Sequence, residues 1–452
     1  MNFKRYRVML TALVILMAIS FVFTYLIVVR PVDFFTTQKQ NNNNVTTQQD
    51  TGVQVRATYT IEDVFRPTRL VLTNNNKFEM TSSASIMKEV NTHLNKRFTN
   101  LTRLEAMDET SYENLVLREA RLQILFDGLH SFGIVSRYFD GTNDEFTNDR
   151  FSRIVIRTDD PHTAYFINDE NKQLYSAKID ESLKTELEAL YADGDFYEVE
   201  SYRGKTKQFF VEQDSLNVEQ SSYLIEQIPM SFYISQLFSN QSEIRTRGDG
   251  KTVVYNDNLS QLKLDRTTNI VTFFENRSGE ETLLYTNNLI QTFNHMKRLG
   301  GWQLGMSLFS VDLSNNLVEY ARYVDSYPIL SSGKEGFTQI KTNTNGIEEM
   351  RTSSLIAQTP LPTKSKKVMI VGGKTIVTEM LNEGFVMNEI EDIRIGYSWT
   401  INSESVQIVD FTPTWYIKKN GTWKTLAELK AEKSQTEPTN GPTTMGGDAD
   451  GF

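Results

Sequence analysis

"SQLKLDRTTNIVTF", residues 260–273, reads as strand, turn, strand, because apolar and polar residues alternate on either side of a polar turn. "TQIKTNTNGIEEM", residues 338–350, has the same form, and Gln261-Leu262-Lys263 matches Gln339-Ile340-Lys341. Each hairpin precedes a helical pattern: 285–299, with Leu289, Phe293 and Met296 on one face, and about 374–383. A second hairpin follows each helix. In the first copy Trp302, Leu304, Met306 and Leu308 alternate, the turn is "SNN", and Val318, Tyr320, Arg322 and Val324 return. In the second copy Ile393, Ile395, Tyr397, Trp399 and Ile401 alternate with Arg394, Gly396, Ser398 and Thr400. The turn there is "NSE", and Val406 and Ile408 return. Both copies close on aromatic and proline residues, "DSYPI" (325–329) and "TPTWYI" (412–417). The pattern predicts two related ββ–α–ββ modules, each an antiparallel sheet half-buried under one helix.

Upstream, two helices are expected. One lies near 84–98, with Ile86, Val90, Leu94 and Phe98 at intervals of four. The other follows Thr110-Ser111-Tyr112-Glu113, which has capping-box spacing, and aligns Leu115, Leu122, Phe126 and Leu129. "SRIVIRT", "TAYFIND" and "QLYSAKI" then read as strands, before a helix near 180–192. Helices first and a meander afterwards point to an α+β fold.

The front of the chain is different. Between Val8 and Val29 there is no charge, and only Thr11, Ser20, Thr24 and Tyr25 are polar. These 22 residues would make a helix of about 33 Å, enough for a hydrocarbon core of about 30 Å. The one small-residue cleavage candidate, Ala18-Ile19-Ser20, lies mid-run, so the segment reads as an uncleaved anchor. Lys4, Arg5 and Arg7 precede it, which keeps the N-terminus cytoplasmic and sends the bulk outside. "TTQKQNNNNVTTQQDTG" (36–52) is polar and low in complexity, a linker. The expected organisation is a cytoplasmic N-terminus (1–7), a transmembrane helix (8–29), a linker (30–56), α+β modules at 57–205, 206–332 and 333–432, and a disordered tail at 433–452.

Charge and composition exclude several functions. The net charge is −10; setting aside Lys4, Arg5, Arg7 and Arg30 leaves 43 basic and 57 acidic residues, hence −14 outside. With no basic stripe to neutralise phosphates, nucleic-acid binding is excluded. The chain has no cysteine, which excludes thiol catalysis and thiolate metal sites and leaves stability to apolar burial. His93, His130, His162 and His295 are never paired at metal-ligand spacing. Ser85-Ile86-Met87-Lys88 matches the S-x-x-K of penicillin-recognising serine enzymes, but the chain has no K-T-G to complete that site. "VGGKT" (371–375) has Val368 where a phosphate loop needs its first glycine, so it reads as a turn before a helix. The acidic stretches 139–149 and 191–198 lack the ligand order of a calcium loop. The expectation is a non-enzyme with no catalytic residue, cofactor or metal, acting through contacts.

This layout resembles the YycH (WalH) family over nearly the whole chain. The most characteristic stretches are "YNDNLSQLKLDRTTNIVTFFE" (255–275), "FNHMKRLGGWQLGMSLFSVDLSNNLVEYARYVDSYPILSS" (293–332) and "VQIVDFTPTWYI" (406–417). The resemblance implies an accessory regulator of the YycG/WalK sensor histidine kinase of a two-component system controlling cell-wall hydrolase genes. It also implies action beside a YycI-like partner, with the transmembrane helix touching kinase helices. At 100° per residue Thr11, Ala18 and Tyr25 form one stripe, and Ser20 and Thr24 lie nearly opposite. These five are the candidate partner-binding residues. A homodimer, an extracytoplasmic ligand-binding or sensor module, and an anchored serine enzyme using Ser85 remain the alternatives.

Overall fold

The computed structural model describes residues 59–436, apart from 76, 142–143, 193, 277–282 and 300–304. The expected anchor, linker and most of the tail lie outside these residues, as do Trp302 and Leu304. Among the described residues no helix is long and apolar enough to cross a membrane.

Antiparallel sheets dominate, as the hairpin patterns predict. Among the described residues the first sheet has nine strands, in the order Thr99–Arg103, Leu174–Lys178, Thr163–Ile167, Arg150–Arg157, Ala120–Ser131, Arg69–Asn74, Lys77–Thr81, Tyr197–Arg203 and Gln208–Glu212. The three strands read from "SRIVIRT", "TAYFIND" and "QLYSAKI" pair in succession within it. Helices Ala84–His93 and Glu181–Ala189 place Ile86, Val90, Leu183 and Leu187 in its core. The first of these is shorter than its pattern suggested. Leu94 caps it, Lys96 turns at φ 54°, and Phe98 reaches the core from the following loop.

The second expected helix is a correction. Only Glu109–Glu113 and a π-helical stretch, Asn114–Glu119, are helical; Leu122, Phe126 and Leu129 belong to the long strand Ala120–Ser131. Its sequence, "ARLQILFDGLHS", is apolar on both sides. Leu122, Ile124 and Phe126 face one core, while Ala120 and Leu125 face another. A strand covered on both faces loses its alternation, and periodicity no longer separates it from a helix.

The two expected ββ–α–ββ modules do not each form a sheet of their own: the hairpin at 338–350, expected to open the second, lies in the sheet of the first. Both hairpins that carry the matched QLK and QIK lie side by side in one sheet, because Ile270–Glu275 pairs with Gly346–Ser353, with Phe273 opposite Met350. That sheet runs Arg245–Gly248, Thr252–Asn256, Ser260–Asp265, Ile270–Glu275, Gly346–Ser353, Phe337–Asn343, Leu317–Val324, Gly305–Asp312. Helix Tyr285–Arg298 closes its inner face through Leu289, Phe293 and Met296, which join Tyr320, Ile340 and Met350. The other sheet contains Leu355–Pro360, Leu216–Gln227, Ile408–Lys419 and Ile390–Ile401, with Lys366–Ile370 and Thr422–Lys424 at its margins. Val377 and Met380 of helix Gly373–Asn382 pack into its core. "VGGKT" does turn into this helix; Gly372 and Gly373 let its first turn press against the backbone of Gln213 and Glu212. A fully buried Leu, Ile or Phe contributes about 1.5–3 kcal/mol, so these apolar faces carry the stability.

One core residue makes that stability pH-dependent. His130 is fully buried among Phe65, Phe126 and Phe151, and burial lowers its pKa from 6.5 to about 3. The unfolded chain takes up a proton below pH 6.5 that the folded chain refuses until about pH 3. Stability should therefore fall with pH across that window, by on the order of 1.4 kcal/mol per unit from this group. His130→Leu is expected to reduce the slope of unfolding free energy between pH 6 and pH 4 by about one proton, read from urea titrations at several pH values.

Candidate functional site

The five candidate partner-binding residues, Thr11, Ala18, Ser20, Thr24 and Tyr25, lie outside the described residues. Of the motif candidates, Ser85 is exposed on its helix, with Oγ 2.9 Å from the Ser83 hydroxyl. His93 is 2.9 Å from Glu186, and His130 is fully buried. Among the described residues no group of three or more His, Cys, Asp or Glu is arranged to hold a metal.

What the structure brings together is a set of buried charges where the three sheets meet. Strand Ala120–Ser131 bulges between Leu125 and His130, with Gly128 at φ 68°. Gly128 lies against Leu308 and the backbone of Phe309, so its lack of a Cβ lets the first sheet approach the hairpin sheet. The bulge delivers Asp127, whose side chain is 3% exposed. Arg394 donates from Nη1 to Asp127 Oδ1 at 2.8 Å, and Arg69 from Nη2 to the same oxygen at 3.3 Å. The Tyr323 hydroxyl donates to Oδ2 at 2.5 Å. One carboxylate thus ties a residue from each of the three sheets.

The network continues outward. Arg394 Nη2 donates to Asp392 at 2.5 Å, Lys207 Nζ donates to the same oxygen at 3.0 Å, and the Ile393 amide donates to its other oxygen at 3.0 Å. The Arg394 guanidinium stands over the rings of Phe309 and Trp423, 5.5 and 5.1 Å from their centroids. Beside it, Arg153 is wholly buried. Its Nε donates to Asp169 at 3.0 Å, Nη1 to Gln123 at 2.6 Å and Nη2 to the Gln208 carbonyl at 2.8 Å. The Tyr112 hydroxyl donates to Asp169 at 2.7 Å.

Burial alone would raise the pKa of Asp127; Arg394 and Arg69 outweigh it and hold the carboxyl down at about 2. Asp392 and Asp169 are held below their usual range in the same way, by Arg394 and by Arg153. Burial and the Asp127 charge push the Tyr323 phenol far up, so it stays a donor. Arg69, Asp127, Lys207, Asp392, Arg394 and Trp423, among others, line a cavity of about 170 Å³. What the arrangement displays is charge pairing and hydrogen bonding.

The sequence reading missed this site. The alternation puts Arg394 on the polar side of its strand, where the ordinary environment is water. Its partner Asp127 is 267 residues away in the chain. The available signal was a charged residue set inside apolar runs, "LFDGL" and "DIRIGY".

Comparison with known proteins gives consistent results. The family model described as "YycH protein, N-terminal domain" matches residues 7–193, and that described as "YycH protein, C-terminal domain" matches residues 206–433. No curated protein sequence matches the chain. Among solved structures, the crystal structure of YycH from Bacillus subtilis superposes with a TM-score of 0.66 at 14% identity, covering 82% of this chain and 97% of that one. At that identity the likeness speaks to the fold, which it shares over most of its length. With two adjoining domain models matching in order from residue 7 to residue 433, the chain belongs to the YycH family.

Proposed function

We propose that this protein is a membrane-anchored, non-enzymatic regulator of a cell-wall-controlling two-component system. In this reading residues 8–29 cross the membrane once, residues 59–436 stand outside, and the protein sets the output of a YycG/WalK-type kinase beside a YycI-like partner. The observation that carries it is the 22-residue uncharged run at 8–29, preceded by Lys4, Arg5 and Arg7 and followed by a long polar stretch, in a chain of this family. The buried charge network supports it as well: three sheets tied through one carboxylate make a stiff body that holds its surfaces in a fixed relation. Such a body would position an anchor helix against a neighbour and bias the neighbour between signalling states.

Because the chain has no cysteine, single cysteines can be placed along 8–29 without background. With single cysteines also placed in the partners' transmembrane helices, oxidative disulfide cross-linking in membranes should join positions on the Thr11–Ala18–Tyr25 stripe to one partner and positions beside Ser20 and Thr24 to another. If no position along 8–29 cross-links to a kinase or to an accessory protein, the helix is a tether and the reading fails.

A further inference from the structure

The outer face of the hairpin sheet carries positive charge without counterions. Leu262, Leu264, Val271, Phe273, Ile340 and Met350 point to the core under helix Tyr285–Arg298, so their neighbours along each strand point outward. Cross-strand register sets the outward residues in rows. Arg247 stands opposite Val254, Val254 opposite Lys263, Lys263 opposite Thr272 and Thr272 opposite Arg351. The next row runs Arg245, Asn256, Gln261, Phe274, Glu349. Arg245, Arg247, Lys263 and Arg351 are exposed, and among the described residues none of them has an ion pair or a side-chain hydrogen bond. Elsewhere exposed lysines meet acids, as Lys419 meets Glu389, Lys424 Glu432 and Lys430 Glu383. The acids of these rows are Glu349 and Asp265, and Asp265 accepts from the Thr267 and Thr268 amides of its own turn. Glu348, alongside, is held by Lys341. Four cations against two acids leave an excess of two, on an exterior whose balance is −14. Within this basic face Phe274 is 47% exposed, and Leu259 at its end is 51% exposed. Cations around exposed apolar side chains are the composition of surfaces that lie among lipid headgroups.

We propose that this face docks onto an acidic phospholipid surface, with Arg245, Arg247, Lys263 and Arg351 against headgroup phosphates and Phe274 among the headgroups. The proposal rests on the reading that residues 8–29 cross a membrane, which keeps such a surface close. The 29 residues from 30 to 58 span at most about 100 Å, enough for any face of the folded body to reach the bilayer. An exterior at −14 is repelled by acidic lipid on the whole, so an uncompensated basic face decides which side turns toward it. The long arginine and lysine side chains let neighbouring strands reach one plane in spite of the sheet's twist.

The test uses the full-length chain in vesicles of phosphatidylcholine, with and without phosphatidylglycerol. The chain has no cysteine, and Gln261 is exposed beside Phe274, so Gln261→Cys carries a single fluorescent label on this face. A quencher fixed to lipid headgroups should dim that label when phosphatidylglycerol is present, far less in phosphatidylcholine alone, and the difference should fade as salt rises. A label at Ser403→Cys, exposed on a turn of another sheet, should stay bright. Arg247→Gln combined with Lys263→Gln removes two cations that make no contact, so the fold should be kept while docking weakens about 25-fold, at about 5-fold for each. Flotation with phosphatidylcholine vesicles reports the anchor by itself, so a failed span and a failed face are told apart, and dependence on phosphatidylglycerol decides the face in either case. The proposal is overturned if phosphatidylglycerol adds no quenching at 261, if 403 is quenched equally, or if the double variant docks as the wild type does. A label that responds to soluble polyphosphate but not to the lipid gives the face to a polymeric anion, and shielding that follows protein density gives it to a second copy; either result also overturns it.

Discussion

Replacing Asp127 by alanine is expected to cost about 3–5 kcal/mol of stability, the range for removing one partner from a buried ionic group. Asp127 accepts from Arg394, Arg69 and Tyr323, and its side chain is 3% exposed. Without it, two guanidinium groups lose the carboxylate they share, and Asp392 alone balances Arg394. The Tyr323 hydroxyl also loses its acceptor. Asp127→Asn keeps the shape and one acceptor oxygen but removes the charge, so its cost should be smaller. The pH profile separates the electrostatic part. A carboxyl whose folded pKa is about 2, against 3.8 ordinarily, contributes stability above pH 3.8 that is lost as pH falls toward 2. In Asp127→Ala that component should vanish, while the fall due to His130 below pH 6.5 should persist. Urea midpoints of the purified chain at several pH values check both statements. A cost under about 1 kcal/mol would mean that the junction hydrates freely and does not bind the sheets together.

How much of this was legible depends on the length scale of the forces involved. Hairpins are decided by turn residues and alternation over short stretches: 260–273 and 338–350 fold where their patterns placed them, and so does the strand over 393–401, but Val406, read as the start of the return strand, lies exposed in the turn, and that strand begins at Ile408. Helices Tyr285–Arg298 and Gly373–Asn382 likewise show one apolar face each, which local spacing reveals. The strand Ala120–Ser131 was misread because apolar neighbours cover both of its faces, and that is a property of the assembled sheets. The pairing of Ile270–Glu275 with Gly346–Ser353 was not legible either, since two similar hairpins give no local sign of whether they share a sheet. The junction was least legible of all. A charged residue in an alternating strand is read as solvated unless its counterion is known, and Arg394 finds Asp127 only through a bulge in a distant strand. Local sequence encodes which face is polar; what meets that face is settled by topology.

Exchanging residues 8–29 for an unrelated apolar span of equal length should abolish regulation of the kinase while leaving the protein in the membrane. In hydrocarbon, apolar matching gives two helices no preference for each other, and specificity comes from close packing and interhelical hydrogen bonds. A polar contact there is worth about 0.6 kcal/mol on average. Two such contacts, from Thr11 and Tyr25, with the close packing that Ala18 allows, reach about 1–3 kcal/mol, or a 5- to 150-fold change in a two-state equilibrium. That is enough to switch a kinase poised near balance, and an unrelated span would supply none of it. Residues 1–35 alone should then retain part of the effect, reduced because the exterior body no longer raises the local concentration of the helices for one another. Transcription of the genes under the kinase, measured beside a membrane-fraction blot, separates loss of contact from loss of protein. Normal regulation by the exchanged chain would move the whole function to residues 59–436.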